Sequence, residues 1–272
     1  MNDFQFKALL GVENKVFQFT CKLVEKDLKE PPKLSKRIKV AIVCMKLKLN
    51  ISFQAIAALF AISRNTCRRW FNEALPLMSE SSKKIVHWLP DEVIKARLPP
   101  SFQALFPDTT CIMDAFETFI ERPSDHSCEV CTYSSYKGHC TLKVNITIAP
   151  HGKIMHLSKG FGGRSTDCQI VTHSGVIKKL GKKASVMADR GYPHIEADLN
   201  SSGNLLVMPP FKMGSDQFSE EENDQTYKVA SVRIHVERGF VTYMSILVFK
   251  LLAGIDPAFK NYKWPWIVLK II

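Results

Sequence analysis

Between Lys36 and Leu49 the apolar residues Ile38, Ala41, Ile42, Met45 and Leu49 recur at the spacing of one helical face, with lysines opposite. A second run, Ser52 to Phe60, opens on a serine whose hydroxyl can accept from the free amides of a first helical turn. Ser63 repeats that signal for a third run. In the third run Cys67, Trp70, Phe71 and Ala74 stand at i, i+3, i+4 and i+7, so Arg64, Asn65, Arg68 and Arg69 project from the other side. Ala57 is small where two helices must cross closely. Ala61 occupies the turn position where glycine is often preferred. Short helices joined by a tight turn, with a basic outer face, are the pattern of a helix-turn-helix.

The period changes after a proline-marked stretch that runs from Leu89-Pro90 through Leu98-Pro99-Pro100 to Phe106-Pro107. Thr110–Asp114 is short and apolar and ends in an acid. Leu142, Val144, Ile146 and Ile148 alternate with Lys143, Asn145 and Thr147, which predicts a half-buried strand. Pro150-His-Gly152 turns that strand into a partner over Lys153–Ser158. Asp167–Leu180 reads as a helix ending at Gly181. Ser185–Ala188 and Leu205–Met208 read as strands, and Ser219–Phe240 as a helix burying Val229, Val232 and Val236. An antiparallel opening followed by strand–helix alternation predicts a mixed-sheet α/β domain behind a small all-α one.

Composition narrows the class. The 272 residues are 46% hydrophobic, which supports a packed core and excludes wholesale disorder. No uncharged apolar run reaches the roughly 18 residues of a membrane span, and Met1–Lys7 lacks a secretory hydrophobic core, so the expectation is a soluble, unsecreted protein with no membrane partner. The net charge is +11 and unevenly placed. Residues 1–100 hold 18 basic against 9 acidic residues (+9), whereas the remainder holds 19 against 17 (+2). A basic module joined to a nearly neutral one fits binding to a polyanion. Arginine matches guanine and asparagine matches adenine bidentately, so Arg64 and Asn65 could read base edges of double-stranded DNA, with Arg68 and Arg69 beside them. An ordinary helical hairpin with a solvated basic face is the alternative, and the charge asymmetry favours DNA.

The eight cysteines are scattered and expected to stay reduced. His126, Cys128, Cys131, His139 and Cys140 form one cluster that could ligate zinc, although adjacent His139 and Cys140 are poor ligand geometry and incidental loop cysteines are favoured.

Three acids stand out by position. Asp114 follows the first apolar run, Asp189 follows another, and Glu237 lies beside the apolar stripe of the last helix. If they converge, their hard oxygens suit Mg²⁺ or Mn²⁺. Two such ions about 4 Å apart activate an attacking oxygen and stabilise the leaving oxygen of a phosphodiester. Taken singly, Asp114 also reads as a cap, Asp189-Arg-Gly as a plain turn, and Glu237 as the partner of Arg233.

The ordered blocks carry more than spacing does. Ile112-Met-Asp114-Ala-Phe-Glu117 through Pro123-Ser-Asp125 is followed by Tyr133-Ser-Ser-Tyr-Lys137, Ile148-Ala-Pro-His-Gly152 and Ser158-Lys-Gly-Phe-Gly-Gly-Arg-Ser-Thr-Asp167. Ala188-Asp189-Arg-Gly-Tyr192, Met208-Pro-Pro-Phe211 and Arg233-Ile-His-Val-Glu237-Arg238 come next. From about Leu34 to Arg238 the sequence resembles the Harbinger-like DDE transposases, a DDE superfamily endonuclease family. The resemblance implies an RNase H-like fold and makes Asp114, Asp189 and Glu237 the catalytic, metal-binding acids, with Asp167 as an accessory position. It sets Lys137, Arg190, His235 and Arg238 against substrate phosphates or beside the acids. It also implies two Mg²⁺ or Mn²⁺ ions and a double-stranded DNA substrate. Nuclear residence is expected only from that substrate, and a homo-oligomer or a partner DNA-binding protein is a further expectation.

On this reading residues 1–33 are a helical lead, 34–90 the helix-turn-helix region, 91–107 a linker, 108–255 the endonuclease domain and 256–272 a divergent tail. Ala115 departs from the usual Cys or Gly, and the likeness fades after Phe240. Two functions therefore compete. One is a metal-dependent nuclease or transposase. The other is a catalytically silent, transposon-derived DNA-binding or scaffold protein, which the altered C-terminus favours.

Overall fold

The computed structural model describes residues 3–28, 33–210 and 219–232. The chain divides into two compact units, one reaching to Ile85 and the other starting at Val86.

The first unit is all-helical: α1 (Asp3–Leu10), α2 (Asn14–Val24), α3 (Lys33–Leu49), α4 (Phe53–Leu59) and α5 (Arg64–Lys83). The amide of Ala55 donates to the Ser52 hydroxyl at 3.1 Å, and that of Thr66 donates to Ser63 at 3.1 Å, so both serines cap the helices they precede. Between the two caps Ala61 adopts φ +51°, the left-handed conformation that a glycine would take without steric cost. Ile56, Ala57, Cys67 and Ala74 are fully buried in one apolar cluster with Val40, Ile42 and Val43. Phe53 meets Phe71 edge-on at 5.3 Å. Lys39, 2% exposed, donates to Glu73 at 2.7 Å, which removes most of the penalty for burying its ammonium. Pro76 lies inside α5, where its ring removes one backbone donor.

In the second unit α6 (Asp91–Ala96) and α7 (Pro100–Leu105) occupy the stretch expected to be a linker. Each follows a proline at its N-cap. Then come β1 (Thr109–Phe119), α8 (His126–Thr132), β2 (Tyr133–Ser134), β3 (His139–Ile148), β4 (Ile154–Leu157), β5 (Phe161–Gly162), α9 (Asp167–Ser174), β6 (Ser185–Met187), α10 (Glu196–Ser201) and β7 (Leu205–Val207). Residues 220–232 are helical, with Val229 and Val232 buried. The rest of the helix expected over Ser219–Phe240, including Val236, lies outside the described residues.

The sheet order is β2-β3-β1-β6-β7, with β4 and β5 also paired to β3. β1 runs antiparallel to β3, and β6 runs parallel to both β1 and β7. Fold class thus follows the expectation at the level of an all-helical region and then a mixed sheet with flanking helices.

Three details differ from the sequence reading. β1 continues well past Asp114, because eight consecutive residues from Ile112 to Phe119 pair with β3. β3 is covered on both faces, so Asn145 and Thr147 are fully buried where alternation alone suggested solvent. α9 stops at Ser174 because Gly175 takes φ +72°, a left-handed C-cap, and a separate 3₁₀ turn follows over Ile177–Lys179.

Candidate functional site

Side chains alternate between the faces of a sheet, and that alternation sorts the acids. Cys111, Met113 and Ala115 of β1 share an apolar cluster with Val186 and Ala188, with Cys168 and Val171 of α9, and with Tyr192, Ile195 and Leu199. Ile112 and Asp114 therefore belong to the opposite face, as does Met187. Ile112 is in register with Met187 across the parallel pair. Two residues beyond that pair stand Asp114, still within β1, and Asp189, in the turn that follows β6. The Tyr192 phenol feels both carboxylates.

Both are half-buried. Asp114 Oδ1 accepts from the amide of Ala115 at 2.8 Å, and Asp189 Oδ1 accepts from the amide of Arg190 at 2.6 Å. Each carboxylate is oriented by the backbone that follows it. The turn after Asp189 closes when the amide of Tyr192 donates to the Asp189 carbonyl at 3.2 Å.

Glu237 and Arg238, with Arg233 and His235, lie outside the described residues. Among the described residues no group of three or more His, Cys, Asp or Glu side chains is gathered to hold a metal ion. That statement extends to the expected zinc alternative. Cys140 is buried, Cys131 and His139 are exposed, and these residues with His126 and Cys128 do not assemble a site.

Asp167 opens α9, whose Cys168 and Val171 pack into the apolar cluster with Cys111, Met113 and Val186. Lys143 Nζ lies 3.5 Å from its Oδ1. Burial raises the Asp167 pKa; Lys143 opposes the shift, and Glu117 and Asp189 add to it. Tyr192, 1% exposed, has its phenol pushed well above the ordinary value, first by burial and then by Asp114.

The expected DNA-facing residues are accessible. Arg64, Asn65, Arg68 and Arg69 are all exposed on the first two turns of α5, a helix with no acid in its first turn. Cations there oppose the positive end of the helix dipole, an arrangement that an anionic partner would relieve. Lys137 is exposed in the turn before β3, with its Nζ 5.2 Å from the ring centre of Tyr136. Arg190 is half-buried beside Asp189.

Sequence reasoning missed Asn145. Its Nδ2 donates to the Asp114 carbonyl at 3.4 Å and to the Tyr192 hydroxyl at 3.2 Å. The signal was there, a carboxamide within an otherwise apolar strand, but alternation assigned it to solvent.

Among curated proteins no significant match is found. Family models do match. Residues 32–84 match the helix-turn-helix of DDE superfamily endonuclease, and residues 113–255 match the DDE superfamily endonuclease itself. The second match covers more than half of the chain and spans the strand of Asp114 and the turn of Asp189, so the chain belongs to the DDE superfamily endonucleases and carries that family's helix-turn-helix.

Proposed function

We propose that the protein is a divalent-metal-dependent endonuclease or transposase acting on the phosphodiesters of double-stranded DNA. The observation that supports this reading is that Asp114 and Asp189 each follow by two residues the paired Ile112 and Met187 of the adjacent parallel strands β1 and β6. An antiparallel β1–β3 pair flanked by parallel β6 and β7 fits the RNase H-like fold that the resemblance implies. Asp114 and Asp189 would hold Mg²⁺ or Mn²⁺, with Glu237 as the third acid, because hard carboxylate oxygens suit these ions. When bound, such ions supply Lewis-acid polarisation of the phosphodiester and lower the pKa of an attacking water.

The chain's own residues do the rest. Asp114 and Asp189 concentrate negative charge where the ions would sit. Arg190, Lys137 and Arg238 offset phosphate charge. Arg64, Asn65, Arg68 and Arg69 hold the duplex from α5, the arginines as phosphate or guanine contacts and Asn65 as an adenine contact. Asp167 is an accessory residue on this reading. Work on chromosomal DNA would place the protein in the nucleus.

The test is nicking of supercoiled plasmid in Mn²⁺ by the wild type, Asp114→Ala and Asp189→Asn. Removing one ligand is expected to cost at least about 100-fold in rate, as losing a preorganised charge partner does. Tight DNA binding without nicking in any of the three overturns the nuclease reading and leaves the catalytically silent DNA-binding protein in its place.

A further inference from the structure

We propose that Asn145 and Tyr192 are positioning residues, a buried polar tether that sets the separation of the Asp114 and Asp189 carboxylates. The inference rests on the reading that these acids bind a divalent cation.

Like charges held near one another repel when no cation lies between them. Asp189 sits beyond the end of β6, in a turn that has already left the ladder. Apolar packing beneath that turn is not directional and would let it drift. The tether is directional. Asn145 is fully buried on β3, level with Ala115. Its Nδ2 bridges the Asp114 carbonyl and the Tyr192 hydroxyl at 3.4 and 3.2 Å. Its Oδ1 accepts from the Thr147 hydroxyl at 3.4 Å, which fixes the orientation of the amide. Its own backbone amide donates to the Ser158 hydroxyl at 2.9 Å, and its carbonyl accepts from the Ser158 amide at 2.9 Å. The carboxamide is therefore held from both ends and joins the strand of one acid to the turn of the other.

The turn is also blocked from below. A Cβ at Gly191 would come within 2.8 Å of Asp167 Oδ2, so the backbone there lies against the first residue of α9. The Cys168 thiol donates to the Gly191 carbonyl at 3.4 Å. Burial and the surrounding carboxylates raise the pKa of the Tyr192 phenol.

The experiment uses the full chain, with Mn²⁺ as the probe. Tyr192→Phe removes one hydroxyl and keeps the ring. Ile195→Val, a neighbour in the same apolar cluster, is the control for simple loss of packing. Thermal unfolding first verifies that both variants fold. Calorimetric titration is expected to show Mn²⁺ affinity falling about tenfold in Tyr192→Phe, the cost of losing an outer support of a metal ligand, with Ile195→Val near the wild type. Amide hydrogen exchange without metal is expected to quicken at residues 190–192 in Tyr192→Phe alone.

Unchanged Mn²⁺ affinity in Tyr192→Phe overturns the positioning role. Unchanged exchange at 190–192 overturns the tether itself, whatever the metal does. A wild type that fails to bind Mn²⁺ while the variant's exchange still quickens overturns the metal reading and supports the tether, so the two failures are told apart.

Discussion

Asp167 is a carboxylate that the fold treats differently from its neighbours. It is partly buried at the start of α9, faces Lys143 at 3.5 Å and feels Glu117 and Asp189 as further negative charges. Burial wins over the lysine, so its folded-state pKa is raised. A raised carboxylate pKa means that the folded protein binds more protons than the unfolded chain, and stability then falls as pH rises from about 4 to the raised value. Asp167→Asn removes that titration. Urea unfolding at a series of pH values is expected to show the wild type losing stability relative to Asp167→Asn across that window, with a constant difference above it. The sequence pointed to Asp167 through its glycine-rich block. It could not point to Lys143, because an alternating strand offers several polar positions and only the pairing of β3 with its neighbours decides which one meets the acid.

At the scale of elements, α9 matters because it supports the turn of Asp189 from beneath. Its N-terminus is a capping box: the Gln169 amide donates to the Thr166 hydroxyl at 3.2 Å, and the Thr166 amide donates to Gln169 Oε1 at 3.0 Å. Thr166→Ala is expected to cost about 1 kcal/mol by losing the cap, lowering Tm by roughly 2–4 °C in calorimetry for a unit of this size.

Elements were legible wherever period and punctuation agreed. The serine caps of α4 and α5, the β3–β4 hairpin and the short β6 and β7 all follow from local pattern. The length of β1 and the double covering of β3 did not, because Asp114 read as the end of a strand and Asn145 and Thr147 as the polar face of one. Asn145 is instead accommodated by a partner distant in sequence, the Tyr192 hydroxyl, and Glu117 accepts from the Thr141 hydroxyl. Of the candidate site, two acids were legible by position. That the strands leading to them are neighbours was not, because no local pattern encodes the parallel pairing of β1 with β6.

Over the whole molecule the charge asymmetry becomes a statement about salt. The first hundred residues carry an excess of +9, and α5 presents exposed arginines on its opening turns. Binding to duplex DNA is expected to weaken steeply as salt rises, because each phosphate contact releases a counterion. Arg68→Ala is expected to lower affinity on any sequence and to make the log–log salt slope shallower by about 1, as read by fluorescence anisotropy. Asn65→Ala would instead relax sequence preference with little change of slope.

The parallel pairing of β1 with β6 has a consequence in time. The β1–β3 and β3–β4 pairings join segments near in sequence and need no long loop closure, but Asp114 and Asp189 lie 75 positions apart. Pairings of that separation close late in folding, after shorter loops have formed. A chain still emerging from the ribosome therefore carries the first acid long before it has the second. The turn that carries Asp189 is therefore set in place only once β6 docks on β1, long after β1 and β3 have had the chance to pair.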